Sequence, residues 1–196
     1  MKTHFRHLFL TALAVAAAAG CASAPAKFYK LNATAKGGDA AETRYAVAVG
    51  RVTIPAEVDR PQFAVQTAPN RVAIDEFNRW AEPLNENIAG VIAADLAALL
   101  GTPRVVSVPL ANFDPAYRVT VDVQKFESLP GKAAQIEAVW IVRKTAGNVT
   151  LSGRTVVCEP VTDGSFDALA AAHSRALARL STAIAAAIRA DADPKP

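Results

Sequence analysis

Residues 117–126, YRVTVDVQKF, decide how this chain is read. Tyr117, Val119, Val121 and Val123 fall on one side of an extended backbone, and Arg118, Thr120, Asp122 and Gln124 on the other. Side chains in a strand alternate between faces, so this run is a strand with one buried and one solvated side. Residues 133–144, AAQIEAVWIVRK, repeat the pattern, with Ile136, Ala138, Trp140 and Val142 opposite Gln135, Glu137, Val139, Ile141 and Arg143. NVTLSGRTVVCEP, from 148 to 160, supplies a third strand, reached through a turn at Gly147 and Asn148. Three such neighbours predict an antiparallel sheet.

The period changes on either side. Leu84, Ile88, Val91, Ile92, Leu96, Leu99 and Leu100 recur at spacings of three and four after Pro83, which predicts a helix. Gly101 and Pro103 end it, the glycine able to take positive φ and the proline unable to continue. A second helix follows Asp163 and Ser165, either of which can cap its first N–H groups. Phe166, Leu169, Ala170, His173, Leu177, Leu180, Ile184 and Ile188 form its apolar stripe, with Arg175, Arg179, Thr182 and Arg189 elsewhere.

Further strands are predicted in KFYKL at 27–31, YAVAVGRVTI at 45–54 and RVVSV at 104–108. FAVQT at 63–67 and RVAID at 71–75 form a hairpin around Pro69 and Asn70. The order β, β, ββ, α, β, β, β, β, α predicts an α+β domain: a mostly antiparallel sheet with two amphipathic helices packed on one face.

The N-terminus follows a different logic. MKTHFRH is basic, LFLTALAVAAAA is apolar, and GCASAPA is small-residue-rich around a cysteine. The pattern predicts an export signal over residues 1–20. Its apolar run is shorter than the roughly 18 residues a membrane span needs. Ala18, Ala19, Gly20 and Cys21 resemble a lipoprotein cleavage site, which makes Cys21 the lipidation residue; the alternative is an ordinary signal with an incidental cysteine. Residues 21–27 are then a lipidated terminus and short linker, 28–190 a single domain, and 191–196 a frayed tail. Only ASAPA separates Cys21 from Lys27, and six residue steps at about 3.3 Å each hold the domain within roughly 20 Å of its membrane.

Removal of the signal takes Lys2 and Arg6, leaving 19 basic against 18 acidic residues. This near-neutral chain carries no basic cluster, and no nucleic-acid partner is expected. Lipidation of Cys21 leaves Cys158 alone, beside Val156 and Val157, and the expectation is a buried, inert thiol. His4 and His7 also leave, so a catalytic triad would have to be built on His173, which lies on an apolar stripe. No Gly-x-Ser-x-Gly turn, zinc spacing, calcium loop or phosphate-cradling glycine pattern is present, so neither an enzyme nor a metal or cofactor site is expected.

Two stretches go beyond what folding requires. In DRPQ, Arg60 before Pro61 is biased toward extended backbone and leads through Gln62 into the hairpin. In NRWAEPL, Pro83 suits a helix start, and Glu82 and Glu86 complement its positive end. Arg79 and Trp80 are not needed for helix initiation. Trp80 either packs over the helix or, exposed beside Arg79, forms part of a protein-binding hot spot.

Taken in order, FYKL, IPAEVDRPQFAV, NRWAEPLNENI and LAALLG, together with the cleavage site, resemble the PqiC-like family of ABC-type transport auxiliary lipoproteins. Glu57 stands where family members typically carry an aromatic residue. The resemblance implies a lipid-anchored, non-enzymatic partner of MCE-protein systems that move lipids between bacterial membranes. It also implies partner-binding roles for Arg60, Pro61, Gln62, Arg79, Trp80 and Glu82. Ala22 after Cys21 resembles outer-membrane-sorted lipoproteins, and the ring form of MCE proteins implies self-association of this chain. A lipid carrier and a structural envelope lipoprotein are the alternatives.

Overall fold

The computed structural model describes residues 24–37, 43, 45–107, 111–147 and 149–192. The export signal expected over residues 1–20, the expected lipidation residue Cys21 and residues 193–196 lie outside them. The elements are β1 (Lys27–Tyr29), β2 (Val47–Thr53), β3 (Gln62–Ala68), β4 (Arg71–Trp80), α1 (Leu84–Leu100), β5 (Val105–Val106), β6 (Tyr117–Leu129), β7 (Ala133–Lys144), β8 (Thr150–Pro160) and α2 (Phe166–Ala192). This is the predicted order and the predicted α+β class.

Five strands form one sheet in the order β5-β2-β6-β7-β8, and three form another in the order β1-β4-β3. The long registers, β6 with β7 and β7 with β8, are antiparallel, as is β3 with β4. The parallel pairings are short: β1 with β4, and β2 with both β5 and β6. They arise because β2 is followed by the β3–β4 hairpin and α1 before the chain returns alongside it, a crossover that restores the strand direction.

The alternation reads true in β6, where Tyr117, Val119, Val121 and Val123 are buried and their neighbours exposed. It breaks at Gln124, where an irregularity between Val123 and Lys125 changes the phase and turns Phe126 and Ser128 inward. In β7, Trp140 lies across Gly153 of β8 and donates Nε1–H to Thr155 Oγ1 at 3.0 Å. A Cβ on Gly153 would come within 2.3 Å of the Trp140 ring, which explains a glycine in mid-strand.

Both helices cover the five-stranded sheet, and Leu96, Leu177, Leu180, Ile184, Val119 and Val142 close the space between them. Helix α1 starts after Pro83, whose carbonyl accepts the N–H groups of Glu86 and Asn87, and ends at Gly101 with φ 63°. Helix α2 is capped by Ser165, whose Oγ accepts the Ala168 N–H at 3.1 Å. It continues through Ala192, so the stretch read as a tail begins two residues too early. Asp191 accepts a hydrogen bond from the Tyr117 hydroxyl at 2.9 Å and pairs with Lys144. These partners are more than 40 residues away in sequence, which is why composition alone suggested fraying.

Residues 31–35 form a strap held by both helices. Asn87 Oδ1 accepts the Leu31 N–H at 2.8 Å, and Ser174 Oγ accepts that of Asn32 at 3.1 Å. The fully buried Asp95 accepts the N–H groups of Thr34 and Ala35 and the Ser181 hydroxyl. Burial pushes the Asp95 carboxyl above its ordinary pKa, against the pull of these hydrogen bonds.

Cys158 corrects the sequence reading: it is exposed. Val157 and Glu159 take the inward positions of β8, with Val157 opposite the buried Ile136, and alternation turns Cys158 out. No helix among the described residues is long and apolar enough to cross a membrane.

Candidate functional site

DRPQ, NRW and FYK are far apart in sequence, yet they form the neighbouring strands of the smaller sheet. Phe28 sits opposite Arg79, Tyr29 opposite Trp80, and Gln62 opposite Arg79 from the other side. The Trp80 N–H donates to the Pro61 carbonyl at 2.7 Å, and the Ala81 N–H to that of Tyr29 at 2.9 Å. NRW therefore ends strand β4, which runs on past the 71–75 strand expected from the sequence and stops before the helix start at Pro83. The strand continues past Asp75 because its Oδ1 accepts the N–H groups of Phe77 and Asn78 and the Asn78 side-chain amide, which supports an irregular step in the ladder. Burial would raise the Asp75 carboxyl, but these bonds outweigh it and hold it below the usual carboxylate range.

The two faces of this sheet differ in chemistry. The inner face is aromatic: Trp80 stacks on Phe63 with centroids 4.2 Å apart, Tyr29 meets Phe63 edge-on at 5.8 Å, and Phe63 meets Phe166 of α2 at 5.1 Å. Trp80 is 5% exposed, which settles its two readings in favour of packing. The outer face carries Phe28, 63% exposed, and Phe77, 46% exposed, with Arg79 between the strands. Gln62 Nε2 donates to Glu76 Oε2 at 3.2 Å, and Arg79 approaches the same oxygen at 4.0 Å. Arg79 Nε is buried and without a partner among the described residues, so its guanidinium keeps donors to spare. Lys30 and Glu82 pair at 3.3 Å just beyond the row, and Arg60 and Pro61 are exposed at its loop end.

The fold thus brings Gln62, Arg79 and Glu82 to one outward surface, with Arg60 and Pro61 at its edge, and turns Trp80 inward. Sequence reasoning missed Phe28 and Phe77. Phe28 was accessible to it: the residue has the opposite phase to Tyr29 and Leu31, both buried. An exposed aromatic residue beside an arginine with free donors is the composition of a protein-binding anchor. Glu57, where an aromatic residue was expected from the resemblance, is exposed in the turn after β2.

Helix α1 and strands β2 and β5 also border an open cleft of about 840 Å³, walled by Arg51, Arg118, Glu82, Glu86 and Phe113. Its charged rim does not match a hydrocarbon chain. His173 is fully buried, stacked on Phe126 at 3.8 Å, with Nε2 2.8 Å from Ser128 Oγ and Nδ1 unpartnered. Burial pushes its pKa down to about 3, so it is a neutral core residue. Among the described residues no group of three or more His, Cys, Asp and Glu is placed to hold a metal.

Comparison with known proteins agrees with the family inferred from the motifs. No curated protein matches the chain. A crystal structure of an uncharacterized protein is similar with a TM-score of 0.70 and 19% identity, covering 84% of this chain and 99% of that one. A protein of Xanthomonas campestris from the DUF330 family gives a TM-score of 0.68 and 19% identity, covering 82% and 93%. At this identity the likeness concerns the fold. The family model for the ABC-type transport auxiliary lipoprotein component matches residues 29–185, from the last residue of β1 into α2, and the chain belongs to that family.

Proposed function

We propose that this chain is a lipid-anchored, non-enzymatic adaptor that docks the end of an MCE-type lipid-transport assembly at the outer membrane and so supports membrane integrity. One observation carries the reading: the separated motif segments converge on the outer face of β1-β4-β3, where Phe28, Arg79 and Gln62 form a row. The first strand of that sheet begins six residues after Cys21, so lipidation there keeps the row close to the bilayer. Arg60, Pro61 and Glu82 flank the row, while Trp80 supports it from beneath. Association with an ABC-type transport system follows from the family; the MCE subunit as direct partner, outer-membrane sorting through Ala22, and self-association to match a ring are the finer parts of the proposal.

Crosslinking in cells followed by isolation of the tagged, lipidated protein tests it. The MCE subunit should be recovered, and recovery should fall at least tenfold for Arg79→Ala. If the lipidated protein is present and no MCE subunit is ever captured, the adaptor role is wrong. A lipid carrier would need an apolar cavity, whereas the cleft that α1 forms with β2 and β5 is open and carries Arg51, Arg118, Glu82 and Glu86 on its walls. Native mass spectrometry separates the two readings, since the adaptor is recovered without bound lipid.

A further inference from the structure

Strand β8 is the last strand of the larger sheet, and among the described residues no strand pairs with its outer edge. The hydrogen-bond phase shows which groups are free. The Lys144 N–H donates to the Val149 carbonyl, and the Val161 N–H to that of Lys132. In an antiparallel ladder such pairs recur at every second residue, so the odd-numbered residues of β8 bond to β7. The N–H and C=O groups of Thr150, Ser152, Arg154, Val156 and Cys158 therefore point outward. They form a straight row of about 26 Å at roughly 3.3 Å per residue.

Natural sheets blunt such edges with bulges, lysines, internal prolines or short strands. Here the register from Thr150 to Pro160 runs without a shift and the first proline is Pro160, while the charges of the strand are Arg154, paired with Glu137, and the inward Glu159 near its end, paired with Arg175 and Arg179. Pro160 falls at an even position, where a missing N–H faces outward, and so marks the end of the usable edge. Val156 is 68% exposed beside it. An unprotected edge of this length fits an added strand.

A second copy paired two-fold through this same edge fits poorly. The antiparallel register that would use all five free residues of both copies sets Arg154 opposite Arg154 at the two-fold axis, and like charges directly opposite are destabilising. We propose that the β8 edge receives an extended segment of a different polypeptide, added as a sixth, antiparallel or parallel strand through backbone hydrogen bonds. The segment carries no positive charge opposite Arg154 and places a small or apolar side chain beside Val156. This rests on the adaptor reading, which makes the segment part of the MCE subunit. No residue of β8 belongs to the Phe28–Arg79 row, so the edge is a second contact.

Amide exchange on the mature protein, alone and with the MCE subunit, tests the proposal. Val156→Pro serves as the edge-blocked variant, since it removes an outward N–H and leaves the bonds to β7. The amides of Ser152, Arg154, Val156 and Cys158 should exchange freely in isolation and slow at least tenfold in the complex. Val156→Pro should weaken binding at least tenfold. A complex in which those amides stay unprotected overturns the edge and leaves the adaptor reading intact. Absence of any complex overturns both. Protection that grows with the concentration of this protein alone identifies a second copy as the occupant and overturns the proposal. The exchange arm uses the unsubstituted protein, so it decides even if the proline variant folds poorly.

Discussion

Replacing Trp80 and Arg79 separately distinguishes the buried face of the small sheet from its outer face. Trp80→Ala removes a ring that stacks on Phe63 at 4.2 Å and meets Phe126 edge-on at 6.2 Å. Truncation of a buried tryptophan costs about 3–5 kcal/mol, the loss of transfer energy plus a residual cavity. Against a total stability of about 5–15 kcal/mol this is a large fraction, equivalent to a fall in Tm of roughly 8–16 °C for a domain of this size. Arg79→Ala removes one 4.0 Å approach to Glu76 and a buried Nε that has no partner, so stability should change by less than about 1 kcal/mol. Urea unfolding followed by circular dichroism measures both, with unchanged slopes licensing the comparison. The partner assay should respond in the opposite order: Arg79→Ala weakens capture strongly at unchanged stability. Should Trp80→Ala unfold within about 0.5 kcal/mol of the parent, or Arg79→Ala cost several, the assignment of faces would be wrong.

Gly153→Ala should destabilise by about 1–3 kcal/mol and shift Trp140 fluorescence, because the added methyl displaces the indole; a neutral change in thermal unfolding would refute that packing. Asp95→Ala should cost about 2–4 kcal/mol and expose residues 31–37 to protease, since the backbone donors of Thr34 and Ala35 lose their acceptor; equal protease resistance would remove the strap from the account. His173 titrates at about 3 in the folded state against 6.5 ordinarily, so the unfolded chain binds the extra proton between these values and stability falls as pH drops. At pH 5 the penalty is about 2 kcal/mol relative to pH 7, and His173→Gln should flatten that part of the stability profile; parallel profiles would contradict the buried neutral imidazole.

Periodicity made much of this fold legible. The faces of β6 and β7 and the stripes of both helices follow from local spacing, because each element buries one side against the same core. The division into two sheets is different in kind. It depends on which strands pair: DRPQ reaches NRW through the β3–β4 hairpin, but FYK at 28–30 meets NRW at 78–80 only after the intervening strands have folded. The bulge at Gln124 and the irregular step after Asp75 shift phase without any glycine or proline to announce them. Cys158 was misplaced because Val156 and Val157 are both apolar, so local pattern leaves the phase of β8 undecided; pairing of Val157 with Ile136 fixes it. Nothing local marks Asp95 and Asn87 of α1 as buried acceptors, because the strap they hold lies more than 50 residues upstream. The residues that the motifs singled out meet in the small sheet, and the structure divides them, Trp80 to the core and Arg79 with Phe28 to the surface.

Photo-crosslinking from position 28 in cells producing the lipidated protein tests the central claim most directly, because Phe28 is exposed in the middle of the proposed docking row. A benzoylphenylalanine there should yield an adduct with the MCE subunit that disappears in Arg79→Ala. A folded, membrane-anchored protein that gives no such adduct from position 28, while giving one from another face, would contradict the account.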